Sequence, residues 1–182
     1  MESETTPTPT PAPQKGMTRS TTSAMLERKL VTLRKITNIS KPCSLRYKCL
    51  EVATVSGDFD VVIRKGKFKV GELILYFEVD SFIPSSALKL SWLMRHRLTT
   101  FDGAKGYHVR PRMFGKQHSR GYIMAIEDHA IVLRIVNIMK EEYGPVEGLR
   151  VASMMAFEDV MGVKKWEPED DSDTPTPSAH GH

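Results

Sequence analysis

Leu50-Glu-Val-Ala-Thr-Val-Ser-Gly-Asp-Phe-Asp-Val-Val-Ile-Arg64 is the stretch that decides the fold. Leu50–Val55 and Asp60–Arg64 are short runs rich in β-branched residues, and Gly57-Asp58 between them supplies the backbone freedom of a tight turn. That is a strand–turn–strand signature. Upstream, Lys29–Ile39 alternates apolar and polar residues with period two, as a half-buried strand does. Lys41–Arg46 interrupts it, because Pro42 has no N–H to give to a ladder. Downstream, Lys65–Gly71 is a glycine-bounded basic connection, and Leu73-Ile-Leu-Tyr-Phe77 is apolar enough to be a central strand.

Beyond Pro84 the pattern changes. Ser85 is expected to cap a short helix running to Leu93, with Leu88 and Trp92 on one face, packed on the sheet. Residues 95–120 read as a basic loop, and Gly121–Ile126 as the last strand. Asp128 is placed to cap an amphipathic helix that ends before Gly144-Pro145, and a second short helical segment is expected near Ala152–Met161. Four or five short strands with glycine turns, and a helix between the fourth and the last, predict a mainly β fold with a few short helices. The expected form is a small closed OB-like Greek-key barrel over 26–166. Its core is expected to hold Val31, Leu33, Val52, Val55, Val62, Leu73, Leu75 and Phe77.

The ends differ in composition. Residues 1–25 are rich in Pro, Thr and Ser, and residues 167–182 are acidic and almost free of large apolar side chains. Both are expected to be disordered tails. The whole chain carries +4; removing the −5 of 167–182 leaves +9 on the central part. Such a surplus attracts polyanions, with solubility as the plainer use of the charge. The acidic tail could also fold back and compete with a ligand.

Only two cysteines occur, Cys43 and Cys49, without a second ligand pair for zinc. No membrane-length apolar run is present, so a chain free of the membrane is expected; a monomer is the default expectation. Reduced thiols in a cytoplasmic or nuclear compartment follow. A start at Met17 would instead resemble a mitochondrial presequence.

Several stretches resemble the N-terminal domain of the Deinococcus-type ATP-dependent RNA ligase family. They are Glu27–Val31, Leu50–Val55 and, over about twenty continuous residues, Lys65–Pro84; weaker matches are the Gly115–Gly121 turn and Met161–Pro168. The resemblance implies an OB-like module preceding a nucleotidyltransferase domain. Two departures stand out: the sequence stops where the resemblance would lead one to expect the ligase domain, and Phe114 precedes the glycine turn where the family prefers Arg, with one extra residue between the glycines.

Covalent nucleotidyl transfer needs a lysine in Lys-x-Asp-Gly. The only Asp-Gly is in Thr100-Phe101-Asp102-Gly103, with Thr100 at the nucleophile's position, so these residues read as a turn and the chain alone as non-catalytic. No paired-histidine metalloprotease motif, nucleophile elbow or Walker loop is present. No cofactor is expected; ATP and Mg2+ would enter only with a separate ligase domain.

The binding candidates are two basic segments. One holds Tyr107, Arg110, Arg112, Phe114, Lys116 and Arg120; the other holds Arg64, Lys65, Lys67 and Lys69. Cations that follow a phosphate backbone, interleaved with aromatic rings that stack bases, are what single-strand binders use. Tyr107 is expected to be exposed. Phe114 reads equally as a core anchor, and Phe68 as packing inward beneath a solvated lysine hairpin. The expected partner is RNA or another single-stranded nucleic acid. The alternatives are a split ligase paired with a nucleotidyltransferase chain, and a protein-interaction barrel docking through Met154, Met155 and Met161, which also read as core filler.

Overall fold

A computed structural model describes residues 28–41, 45–88 and 97–167. The expected tails at 1–25 and 167–182 lie outside them apart from Glu167, as do Cys43, Trp92 and the rest of 89–96.

β1 (Val31–Ser40) organises the main sheet. Val31–Lys35 pairs with β4 (Leu73–Phe77), and Ile36–Ser40 pairs with β2 (Leu50–Val55), with a register shift between Ile36 and Asn38. An extra residue on one strand bends it and adds twist, so β1 passes its pairing from one neighbour to the other at this point. β2 turns through Gly57 and Asp58, both at positive φ, into β3 (Phe59–Arg64). β10 (Tyr122–Ala125) adds to the free side of β4. The strand order is therefore β10-β4-β1-β2-β3, an OB-fold sheet curled into a half-barrel whose two edge strands are β3 and β10.

The fourth strand is buried on both sides, as its composition predicts. Ile74 and Tyr76 face the inside of the curl with Ile36, Val55, Val61, Ile63, Phe68 and Ile123. Leu75 and Phe77 face the other way, with Val31, Leu33 and Met124. That outer side is covered by α1 (Ala130–Tyr143), α2 (Pro145–Met154) and α3 (Glu158–Met161), and by a second sheet. The second sheet has the order β11-β5-β7-β6, from β5 (Ser81–Pro84), β6 (Thr99–Phe101), β7 (Ala104–His108) and β11 (Lys164–Lys165). β8 (Arg112–Phe114) and β9 (Gln117–Ser119) form a separate hairpin.

Several expectations change. The helix expected from Ser85 is not formed over its described part. Ser85 N–H donates to Lys105 C=O of β7 (2.9 Å), which extends the second sheet's pairing, and Ser85–Ala87 make a turn. The basic stretch is four short strands rather than a loop; runs of three to five residues are too short for alternation to register. Val62 and Leu73 are only half-buried. In Val61-Val-Ile63 three successive β-branched residues hide the phase, and it is Val61 and Ile63 that point inward. The N-cap of α1 is His129, whose ring accepts from Val132 N–H (3.4 Å); Asp128 closes the preceding turn, Ile126–Asp128. The segment near Ala152–Met161 is the end of α2 and the separate α3. Among the described residues no helix is long and apolar enough to cross a membrane.

Candidate functional site

β3 and β10 stand at opposite ends of the strand order, and a hollow of about 320 Å³ lies between them. One end of this seam is stitched shut. Arg120 N–H donates to Asp60 C=O (2.8 Å), and Ser119 Oγ accepts from Val62 N–H (2.9 Å). Tyr76 OH, its pKa pushed up to about 12 by burial, donates to Arg120 C=O (3.1 Å). Gly121 at this corner has φ +89°, and a Cβ there would lie 2.6 Å from Phe77 O and 2.8 Å from the Tyr76 ring. Only glycine turns the chain there without moving β4.

Of the ten residues expected to bind, six line this hollow: Arg64, Lys67, Tyr107, Arg110, Arg112 and Phe114. Two segments about forty residues apart in sequence are thus brought to one groove. Lys65, Lys69, Lys116 and Arg120 are exposed but do not line it. Among the described residues no carboxylate lines the hollow, and Arg64, Lys67, Arg110 and Arg112 make no ion pair. Phe68 is buried beneath the exposed Lys67 and Lys69, so that connection combines both readings of it.

Tyr107 is not exposed: it is 6 % accessible, because β7 is an inner strand pairing with both β5 and β6. Its ring meets Tyr122 edge-on (6.1 Å), and the Arg112 guanidinium sits over it at 5.6 Å. It therefore holds Arg112 in place rather than offering a bare stacking face. Phe114 is half-buried at the β8–β9 hairpin, with the Tyr47 ring edge-on at 5.7 Å.

A second hollow, of about 470 Å³, shares Tyr107, Arg110 and Arg112 with the first and adds Arg97, Thr99 and His108. His108 Nδ1 accepts from Arg110 Nε–H (2.9 Å), which aims that guanidinium. Its Nε2 is buried without a hydrogen-bond partner, 3.5 Å from Asp80 Oδ1. Burial, with Arg110 alongside, lowers the His108 pKa against the opposing pull of Asp80. The ring stacks on the Trp166 indole (4.2 Å, 11°), and the main-chain N–H of Trp166 donates to Asp80 C=O (2.6 Å). The described part of the Met161–Pro168 segment, up to Glu167, is in this way joined to the site through β11.

Arg97 belongs to the cations of the basic stretch 95–120 but is not among the ten candidates, whereas nothing in the sequence places His108 or Ser119 at the site. Thr100-Phe101-Asp102-Gly103 is a hairpin turn with Asp102 at φ 49° and Gly103 at φ 71°. The Lys164 ammonium beside it holds the Asp102 carboxyl below the usual range. Cys49 is an exposed free thiol. Met161 is buried, Met155 packs on the same core and Met154 is exposed, so the three methionines form no single face.

No curated protein matches this chain. Solved structures do. A variant of Naegleria gruberi RNA ligase with ATP and manganese superposes with TM-score 0.60 at 24 % identity, over 78 % of this chain and 36 % of that one. The same ligase with pyrophosphate gives TM-score 0.57 at 24 % identity, over 80 % and 37 %. An apo variant gives TM-score 0.57 at 25 % identity, over 78 % and 36 %. The chain spans about a third of those ligase chains. The profile of the PHA02142 OB-fold domain family matches residues 30–126, over half of the chain and all five strands of the half-barrel, and the chain belongs to that family.

Proposed function

We propose that this OB-fold domain binds single-stranded nucleic acid, RNA foremost, along the groove between β3 and the β7–β8 segment, and carries out no covalent chemistry of its own. The observation that carries this reading is the meeting of Arg64 and Lys67 with Arg110 and Arg112 around one hollow, with no carboxylate among the described residues that line it. OB-folds bind oligonucleotides along one sheet face and its flanking loops, and these cations flank that face. Phe114 is the ring best placed to stack on a base. The groove reads no particular base sequence, so binding is weakly specific and dominated by phosphate neutralisation.

The test is titration with a labelled oligoribonucleotide at several salt concentrations. Four neutralised phosphates give a slope of log K on log salt of roughly −3 for a single strand. Arg110→Ala with Arg112→Ala lowers affinity and flattens the slope by about 1.4, with the melting temperature nearly unchanged. Affinity independent of salt, or an equal loss of binding and stability, overturns the proposal.

A second reading is favoured by the likeness to RNA ligases: the domain is the accessory part of such an enzyme, with the nucleotidyltransferase on another chain. ATP and Mg2+ then belong to that partner. Among the described residues no cluster of His, Cys, Asp and Glu fit to hold a metal is found, and Thr100 stands where the lysine nucleophile would be needed. Incubation with radiolabelled ATP and Mg2+, alone and with a candidate nucleotidyltransferase, separates the readings. A labelled adduct on this chain overturns the non-catalytic proposal. Oligonucleotide ligation only when both chains are present supports the second reading.

A further inference from the structure

We propose that the hollow between β3 and β10 is a pocket for one unstacked nucleobase of the bound strand. This rests on the nucleic-acid reading above and goes beyond it, since a groove that only follows phosphates needs no pocket. The walls are apolar: Val61 and Ile63 from β3, Ile123 from β10 and Phe68 from the connection after β3, all buried in the inner core, reach the hollow. At about 320 Å³ it lies at the small end of the roughly 300–1,000 Å³ typical of ligand sites, so it suits one planar ring system and not a stacked run.

The edge of β3 supplies polar groups where the rim of a base would need them. Lys65 N–H donates to Cys49 C=O, which places the odd-numbered residues of β3 in hydrogen-bond register with β2. The main-chain groups of Asp60, Val62 and Arg64 therefore turn the other way, towards the seam. Asp60 C=O and Val62 N–H are taken by Arg120 and Ser119. Val62 C=O and Arg64 N–H lie further along the same edge, one acceptor and one donor facing the hollow. Such a pair can serve the edge of any base, in keeping with weak sequence preference.

The charge around the hollow fits the rest of a nucleotide. Arg64 and Lys67 stand on the β3 side, and Arg110 and Arg112 on the other. The adjoining hollow shares both of these arginines and adds Arg97, again with no carboxylate among the described residues that line it. The phosphate next to the inserted base is held there, with Arg110 aimed by His108 Nδ1.

Binding is measured with a short labelled oligoribonucleotide and with a series in which each base in turn is replaced by an abasic ribose, leaving every phosphate in place. Removing the base that occupies the pocket lowers affinity about tenfold or more, as expected for loss of one buried base contact, and leaves the salt slope unchanged. A 2-aminopurine at that position changes its emission on binding. If the intact strand binds with the expected salt slope and no abasic position matters more than the rest, the pocket is overturned and groove binding stands. If the intact strand does not bind at any salt concentration, both fall.

Discussion

The two sides of the half-barrel are finished differently. The outer side of β1, β4 and β10 is sealed. Val31, Leu33, Leu75, Phe77 and Met124 are 0–3 % accessible beneath the helices and the second sheet, and Phe157 N–H donates to Val31 C=O (3.0 Å) to tie the connection before α3 to β1. The inner side has an apolar core of its own but ends at a seam, because β3 and β10 approach without pairing as strands. Buried apolar walls that open onto a rim of four cations are costly unless something fills them. The sealed side holds the fold together, and the open side is free to take a ligand.

The sharpest way to break this division is at Phe157, which is fully buried on the sealed side. Phe157→Ala removes a ring from a packed core and is expected to cost about 3–5 kcal/mol in denaturant unfolding, with the affinity of the remaining folded protein unchanged. A loss of affinity in the folded fraction would show that the two sides are coupled. Next in size is Phe114→Ala on the open side, expected to weaken oligonucleotide binding by about 1–3 kcal/mol if its ring stacks a base, with little change in melting temperature. The opposite outcome would make Phe114 an anchor for the hairpin and Tyr47.

A ranking of lysines and arginines tests the boundary of the site. Arg64→Ala with Lys67→Ala is expected to lower affinity more than Lys65→Ala with Lys69→Ala, because only the first pair lines the hollow. Equal losses would spread the charge effect over the whole face.

The smallest effect expected is on pH dependence. His108 has its pKa lowered by burial, so the unfolded chain binds a proton before the folded one does. The neutral ring's contribution is fully present above the unfolded value near 6.5 and is lost as pH falls through that value towards the lowered folded one. His108→Gln is expected to flatten the acid side of the stability–pH curve, measured by thermal melting between neutral and mildly acidic pH. An unchanged curve would assign the slope to other groups, such as His129, whose pKa burial also lowers.

The half-barrel strands and both basic segments were legible because their signals are local. Alternation in β1, the Gly57-Asp58 turn and the apolar run of β4 each reside within a dozen residues, and so does clustered charge. The face of Val62, the burial of Tyr107 and the fate of Ser85 were not. Each depends on a partner twenty or more residues away: Ser119 for Val62, and β5 pairing with β7 for Tyr107 and Ser85.

By itself, then, the sequence determined which segments would be the strands of the half-barrel and which would carry cations, since backbone period and turn chemistry act between near neighbours, while the three- to five-residue strands of the basic stretch were beyond its reach. Only the tertiary structure decided that Arg64 and Lys67 would face Arg110 and Arg112 across an unpaired seam. That meeting follows from how far the sheet curls and where its edges stop, which is settled by packing among residues distant in the chain.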